Sequence, residues 1–424
     1  MLEHVRALAD EIGPRPTGSP GEEKAAAYIA EQFHDAGLVD VAIEPVDVVG
    51  FDYSTCHVSC PNLEPSLKLS SHPGRFSGAT DGLIELPLAY VDSLDDLGKE
   101  HAGAAVAFWA GMSADQYSRA VDLDVAALLL IPGIDPPAHN TQQMTHAFRF
   151  STPFDVLKVP RRLPLVSVAY WDISRALQAG ASRVELEVDG ETKIRTGHNV
   201  TGRLVGEDGA RRVVICAHHD TVAGSPGAGD NAAGVAVMIE LARRLVTDRP
   251  GLHVDFVSFT AEEVGYLGAH AYTRDHAGDL AGADLVLYVD GQGDRVGRTI
   301  YHVTGDEALE TFTRRVVGDL NQPAEVRPYV GGLDHSVLMA AYRVPGVWMQ
   351  RPPQLFWHTR YDRTDTLTER PMREGVDIYA EIVRRIASVP GEPFAPKLSE
   401  KQLEGMKDYA RSCHPALAEW LERA

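Results

Sequence analysis

Apolar positions recur at helical spacing from residue 2 to about residue 37, interrupted by the Gly/Pro run GPRPTGSPG. That pattern predicts one helix ended by a loop and a second running through EEKAAAYIAEQFHDAG. VAIEPVDVV follows as a β-branched strand. From about 50 to 185 the pattern shortens into brief apolar runs among prolines and turns: LIELPLAYV, AAVAFWAG, VAALLLIPG and LPLVSVAY. From HNVTGRLVG onward strands and helices alternate. VVICA (213–217), VDFVSFT (254–260), LVLYV (285–289) and VPGVWM (344–349) read as strands, AGVAVMIELARRLV as a largely apolar helix, and the tail from about 396 as an amphipathic helix. The alternation predicts the α/β class: a mostly parallel mixed sheet flanked by helices, interrupted by a β-rich insert.

Length supports the same division, because 424 residues exceed one typical core. Residues 1–49 and 186–395 are expected to form the main domain, 50–185 the insert and 396–424 a helical extension. With 44% hydrophobic and 24% charged residues the composition is that of a globular protein, and a formal net charge of −20 would repel nucleic-acid phosphates. The first residues, MLEHVRALADEIG, include acidic side chains and lack a signal-peptide apolar core, so a cytoplasmic location is expected. A chain already trimmed of a leader for secretion would read the same. No apolar run approaches the roughly 20 residues that span a bilayer, and no membrane partner is expected. Cys56, Cys60, Cys216 and Cys413 are too few for a disulfide scaffold and are read as reduced thiols. The oligomeric state stays open.

Five side chains then change the picture: His218 in AHHDTV, Asp230 in GAGDNAAGVA, Glu263 in FTAEEVGYLG, Asp290 in LVLYVDGQGD and His358 in WHTRYDRTD. A pair of divalent ions needs imidazoles and carboxylates converging from different elements, with one carboxylate shared. Open parallel sheets place ligand crevices at strand carboxyl ends, and four of the five follow such ends. Asp230 instead is read as opening a helix, where free N–H groups favour an anion and a bridging carboxylate would be well held. Each residue alone has an ordinary alternative: a loop histidine, solvated helix-start glutamates at Glu262 and Glu263, an Asp cap, a turn-forming Asp. Their coincidence in one order on one sheet favours the metal reading. The insert carries no such residue, so excising it is expected to leave metal binding largely intact, and its position between sheet elements leads us to expect it to wall the cleft.

At these positions the chain resembles the co-catalytic zinc aminopeptidase family, which includes bacterial leucyl aminopeptidases, aminopeptidase Y, glutamate carboxypeptidase and the inactive transferrin receptor. The resemblance rests on the GPRPTGS loop, A-H-x-D at Ala217 to Asp220, G-x-x-D-N-x-x-G at Gly227 to Gly234, the Glu262-Glu263 pair and H-T-x-x-D at His358 to Asp362. The insert is similar to a protease-associated domain. By resemblance, His218, Asp230 and Asp290 would hold one ion, usually zinc, and Asp230, Glu263 and His358 the other. Glu262 would be the general base and Asp220 would orient His218. Asp334 and His335, in GGLDHSVLM, resemble a segment near the substrate, with Leu333 where relatives have Ser. Gly-Gln-Gly after Asp290 likewise replaces the usual Met-x-Gly. The resemblance implies a two-zinc metalloexopeptidase acting on a peptide or small amide, most simply an aminopeptidase, with carboxypeptidase or N-acyl amino-acid amidohydrolase as variants. A single-zinc glutaminyl cyclase type of cyclotransferase and a non-catalytic receptor-like domain are the other readings.

Overall fold

A computed structural model describes residues 1–109, 111–133, 153–159, 161–207, 209–389, 391 and 393–413. Its strands are β1 (Val39–Cys60), β2 (Leu67–Lys68), β3 (Ser71–Pro73), β4 (Ile84–Val91), β5 (Ala105–Trp109), β6 (Ala127–Ile131) and β7 (Leu165–Val168). They continue as β8 (Arg183–Leu204), β9 (Arg212–His218), β10 (His253–Phe259), β11 (Ala283–Val289), β12 (Ile300–Thr304), β13 (Glu325–Pro328) and β14 (Gly346–Gln350). They join in one sheet of order β13-β12-β14-β11-β9-β10-β8-β4-β5-β6-β7-β3, with β1 paired to β8 and β2 to β1. The neighbours β14-β11-β9-β10 are parallel, and β8 closes them antiparallel. The mixed, mostly parallel α/β sheet flanked by helices is therefore observed.

The central strands are largely apolar because both faces are covered. Val213, Ile215 and Ala217 of β9 and Leu285, Leu287 and Val289 of β11 join one core, with the helices Pro20–Ala36, Ala233–Asp248 and Glu369–Ser388. Their alternates, Val214, Cys216, Val286 and Tyr288, pack in a second core beneath the helices Leu267–Asp275 and Asp334–Tyr342. Strand periodicity of two divides each segment between the layers. The helix Pro20–Ala36 starts where its sequence says it should: Ser19 accepts the Glu22 N–H at 3.2 Å, proline occupies the first turn, and Gly37 closes the helix in the left-handed region at φ 89°.

Residues between β1 and β8 form a second lobe, and the boundaries expected near 50 and 185 fall inside those two strands of 22 residues each. The lobe is less purely β than its sequence suggested. β4, β5, β6 and β7 pair in parallel, with helices Ala114–Asp122 and Tyr170–Gln178 among them. The insert packs against the centre's surroundings: its Phe76 and Phe108 share one apolar cluster with Ala261, Val264 and Leu267, on the segment that carries Glu262 and Glu263. Cys56, Cys60 and Cys216 are free thiols. Cys56 and Cys60 lie four residues apart along β1, about 13 Å at the rise of a strand, too far for a bridge. Residues 414–424 of the expected helical tail lie outside the described residues. Among the described residues no helix is long and apolar enough to cross a membrane.

Candidate metal centre

The five ligand-type side chains meet at the carboxyl ends of the parallel strands. His218 ends β9, Asp290 follows β11, Glu263 follows β10, and His358 lies on the loop after β14. His218 Nε2 is 3.1 Å from Asp230 Oδ1 and 3.4 Å from Asp290 Oδ1. His358 Nε2 is 3.2 Å from Asp230 Oδ2 and 3.2 Å from Glu263 Oε1. Two groups capable of holding a cation result, His218/Asp230/Asp290 and Asp230/Glu263/His358, with Asp230 in both. Ligands about 2.1 Å from a tetrahedral zinc stand roughly 3.4 Å apart, so these separations fit the ion. All five are buried or nearly so.

Asp230 does not open a helix, contrary to the sequence expectation. Its φ is −123° and ψ 87°, its peptide to Asn231 is cis, and the regular helix begins at Ala233. Neighbouring side chains hold this segment out of helical pairing. The Asp362 carboxylate accepts the N–H groups of Gly229 and Asp230 at 2.7 and 3.0 Å. Asn231 donates to the Val289 carbonyl at 2.8 Å and accepts from Gly234 N–H at 3.1 Å. Gly234 is required by that approach, since a Cβ there would lie 2.2 Å from Asn231 Oδ1. The G-x-x-D-N-x-x-G motif thus ties the shared carboxylate to the strand end that bears Asp290.

Asp220 meets His218 differently from the simplest expectation. His218 Nδ1 is 3.1 Å from the Asp220 main-chain oxygen and 3.6 Å from its carboxylate. The carboxylate accepts instead the N–H groups of Glu262 and Glu263, at 3.1 and 3.4 Å, and the Thr17 hydroxyl at 2.8 Å. Glu262 belongs to neither ligand group but sits beside both. Burial pushes its carboxyl well above the usual range; His218 opposes this, and the Glu263, Asp334 and Asp290 carboxylates add to it. Asp334 and His335 are buried, 0% and 2% exposed, so they form no open substrate wall. Asp334 accepts from Tyr288 OH at 3.3 Å, and His335 stacks on the Tyr288 ring with centroids 4.7 Å apart.

The electrostatics favour positive charge at the centre. Burial opposes protonation of His358, yet Glu263 and Asp230 raise it to about 9. Burial likewise opposes His218 and is outweighed by Asp220, Asp230 and Asp290. Burial also works against ionising Asp230, but the bonds from His218 and His358 hold its carboxyl below the ordinary value. A pocket that retains protons on two buried imidazoles has the donor chemistry of a cation site, where metal binding would release those protons.

Several supporting residues carried no assigned role in the sequence reading. Arg15, fully buried, donates to the carbonyls of Leu8, Gly13, His219, Pro226 and Gly227 at 2.8 to 2.9 Å, clamping the loop before Asp230. Glu22 has the spacing of a capping glutamate after Ser19. It reaches instead across to His198 N–H at 2.7 Å and His219 Nε2 at 3.3 Å. Gly-Gln-Gly after Asp290 also has a local cause. Gly291 has φ 70°, and a Cβ there would lie 1.5 Å from Gln354 Nε2, so the Gln354 amide fills the space a side chain would take.

The model of peptidase family M28 matches residues 199–383, the stretch that holds all five ligand-type residues. Mouse carboxypeptidase Q is 24% identical over 389 residues, covering 86% of this chain and 80% of that protein. The aminopeptidase YwaD of Bacillus subtilis is 24% identical over 277 residues, 64% of this chain and 56% of its own length. Among solved structures, an M28 peptidase precursor from Shewanella amazonensis superposes with a TM-score of 0.76 at 20% identity, covering 93% of this chain and 95% of the other. The zinc aminopeptidase BSAP of Bacillus subtilis superposes at 0.73 and 19% identity, covering 94% and 97%. With its motifs gathered at the strand ends and the family segment spanning them, residues 199–383 match peptidase family M28, and the chain is a zinc metallopeptidase.

Proposed function

We propose that the chain is an aminopeptidase that works with two zinc ions. The observation that carries this reading is Asp230, whose two carboxylate oxygens face two different histidines, each with its own further carboxylate. His218, Asp230 and Asp290 would hold one ion, and Asp230, Glu263 and His358 the other. When bound, such ions supply Lewis-acid polarisation of a substrate carbonyl and acidify water. Glu262 is the general base: it takes the proton from the attacking water and returns it to the leaving amine. Asp220 holds the Glu262 and Glu263 N–H groups and so aims both carboxylates. Asp362 does the same for Asp230. Asp334 and His335 back the centre through Tyr288 and do not touch substrate in this reading.

Release from the amino end is supported by the aminopeptidase relatives. A carboxypeptidase is the second reading, favoured by the carboxypeptidase Q match, which extends over more of this chain than the aminopeptidase match does. A panel of short peptides with the amino terminus free or acetylated, and the carboxyl terminus free or amidated, decides between them. An aminopeptidase releases the first residue and is blocked by acetylation alone; block by amidation alone establishes the carboxypeptidase.

A further inference from the structure

The second lobe supplies a cation to the loop that carries the proposed base. After β3 the chain makes a tight turn, with Ser77 N–H donating to Gly74 O at 3.0 Å. β7 and its lead-in pin this turn. Gly74 and Gly78 donate to the carbonyls of Leu165 and Leu163 at 2.8 and 3.0 Å, and Leu165 N–H donates to Ser77 Oγ at 2.8 Å. Phe76, at φ 64° and fully buried, plugs into the apolar cluster that also contains Ala261, Val264 and Leu267. A bulky residue persists in the left-handed region only where its surroundings hold it there. Arg75, the residue before it, donates from Nη1 to the main-chain carbonyl of Glu263. The carboxylates of Glu263, Asp220 and Glu262 act on its guanidinium.

The Glu262-Glu263 segment is therefore gripped from both sides of its backbone: Asp220 takes its N–H groups and Arg75 its carbonyl. We propose that Arg75 is a positioning residue for hydrolysis, fixing from the second lobe the loop on which Glu262 and Glu263 stand. The proposal rests on the metallopeptidase reading with Glu262 as base. Arg75 acts through the loop and touches neither the reacting atoms nor, in this role, the substrate. The planar fork of arginine suits this better than lysine, which offers a single mobile ammonium.

The test measures kcat, KM and zinc per chain for Arg75→Met and Arg75→Lys, each alone and combined with Glu262→Gln. Misplacing a reacting group by about 1 Å costs about 10²-fold, so Arg75→Met should lower kcat by roughly 10- to 100-fold. KM should stay within about twofold of wild type. Measured with zinc in excess, zinc content should stay at the wild-type value because Glu263 keeps its carboxylate, and Arg75→Lys should recover part of the rate. In the Glu262→Gln background the same Arg75→Met change should cost less than about threefold, because the group being positioned no longer works. Unchanged kcat, fully multiplicative effects in the double variant, a rise in KM at constant kcat, or loss of zinc each overturns the proposal. Should Arg75→Met not fold, Arg75→Lys decides alone: reduced kcat with KM and zinc retained supports it, and wild-type kcat overturns it. Absence of any hydrolysis by the wild-type protein would instead remove the reading on which the proposal stands.

Discussion

Glu262 and Glu263 are neighbours in the chain, yet they point to different chemistry. Glu263 stands 3.2 Å from His358 within a ligand group, whereas Glu262 lies outside both groups and burial pushes its carboxyl well above the usual range. Glu262→Gln should keep both zinc ions while the rate falls by roughly 10²–10⁴, the usual worth of a positioned base. Glu263→Gln should lose one ion, partly restored by excess zinc. Metal analysis beside steady-state kinetics checks both, and a metal loss confined to Glu262→Gln would exchange the roles. The same measurement ranks the aspartates: Asp290→Ala should retain about one ion and Asp230→Ala almost none, because only Asp230 faces both histidines.

Elements far apart in sequence hold these side chains in place. The GPRPTGS loop is legible as a helix breaker, but its arginine is a structural clamp that joins the chain start to the loop before Asp230. Burial lowers the Arg15 guanidinium to about 10, leaving it charged at neutral pH. Arg15→Met would leave several buried carbonyls without donors, at about 1–3 kcal/mol for each one that cannot find water. A loss of at least about 3 kcal/mol is therefore expected, read as a lower urea midpoint at unchanged slope. A change below about 1 kcal/mol would show that solvent replaces the clamp.

At the scale of the whole molecule, the two lobes share one apolar cluster, so the loop that carries Glu262 and Glu263 is packed from both. Acid stability also belongs to this scale, because it sums over the molecule. Burial lowers His270 and His302 from 6.5 to about 4 and His335 to about 3. The folded values lie below the unfolded one, so the unfolded chain binds protons first as pH falls, and the stability present above 6.5 is lost below it. Each histidine contributes a slope of about 1 kcal/mol per pH unit between pH 6.5 and its folded value. Raised groups such as His358 and Glu262 contribute with the opposite sign, so the test is differential: between pH 7.5 and 5 the urea midpoint of His270→Phe should lose less, or gain more, than that of the wild type. An identical pH dependence in the two proteins would contradict the burial of His270 as a neutral imidazole.

The sequence alone determined a good deal of this protein. Periodicity located β9, β10, β11 and β14 to within about two residues, because strands covered on both faces read as near-continuous apolar runs. Ligand-type residues at the ends of those strands marked the centre, since open parallel sheets put their crevices there. Tertiary structure decided the rest. Nothing in GAGDNAAGVA indicates that Asp362, more than a hundred residues later, holds Asp230 out of the helix its position in the sequence would open. The resemblance assigned Asp220 to His218, but its carboxylate accepts from the loop after β10. Arg75, Glu22 and Arg15 read as ordinary charges until their partners are seen, because a local pattern reports which face of an element is buried and not which distant carbonyl or imidazole a long side chain will reach.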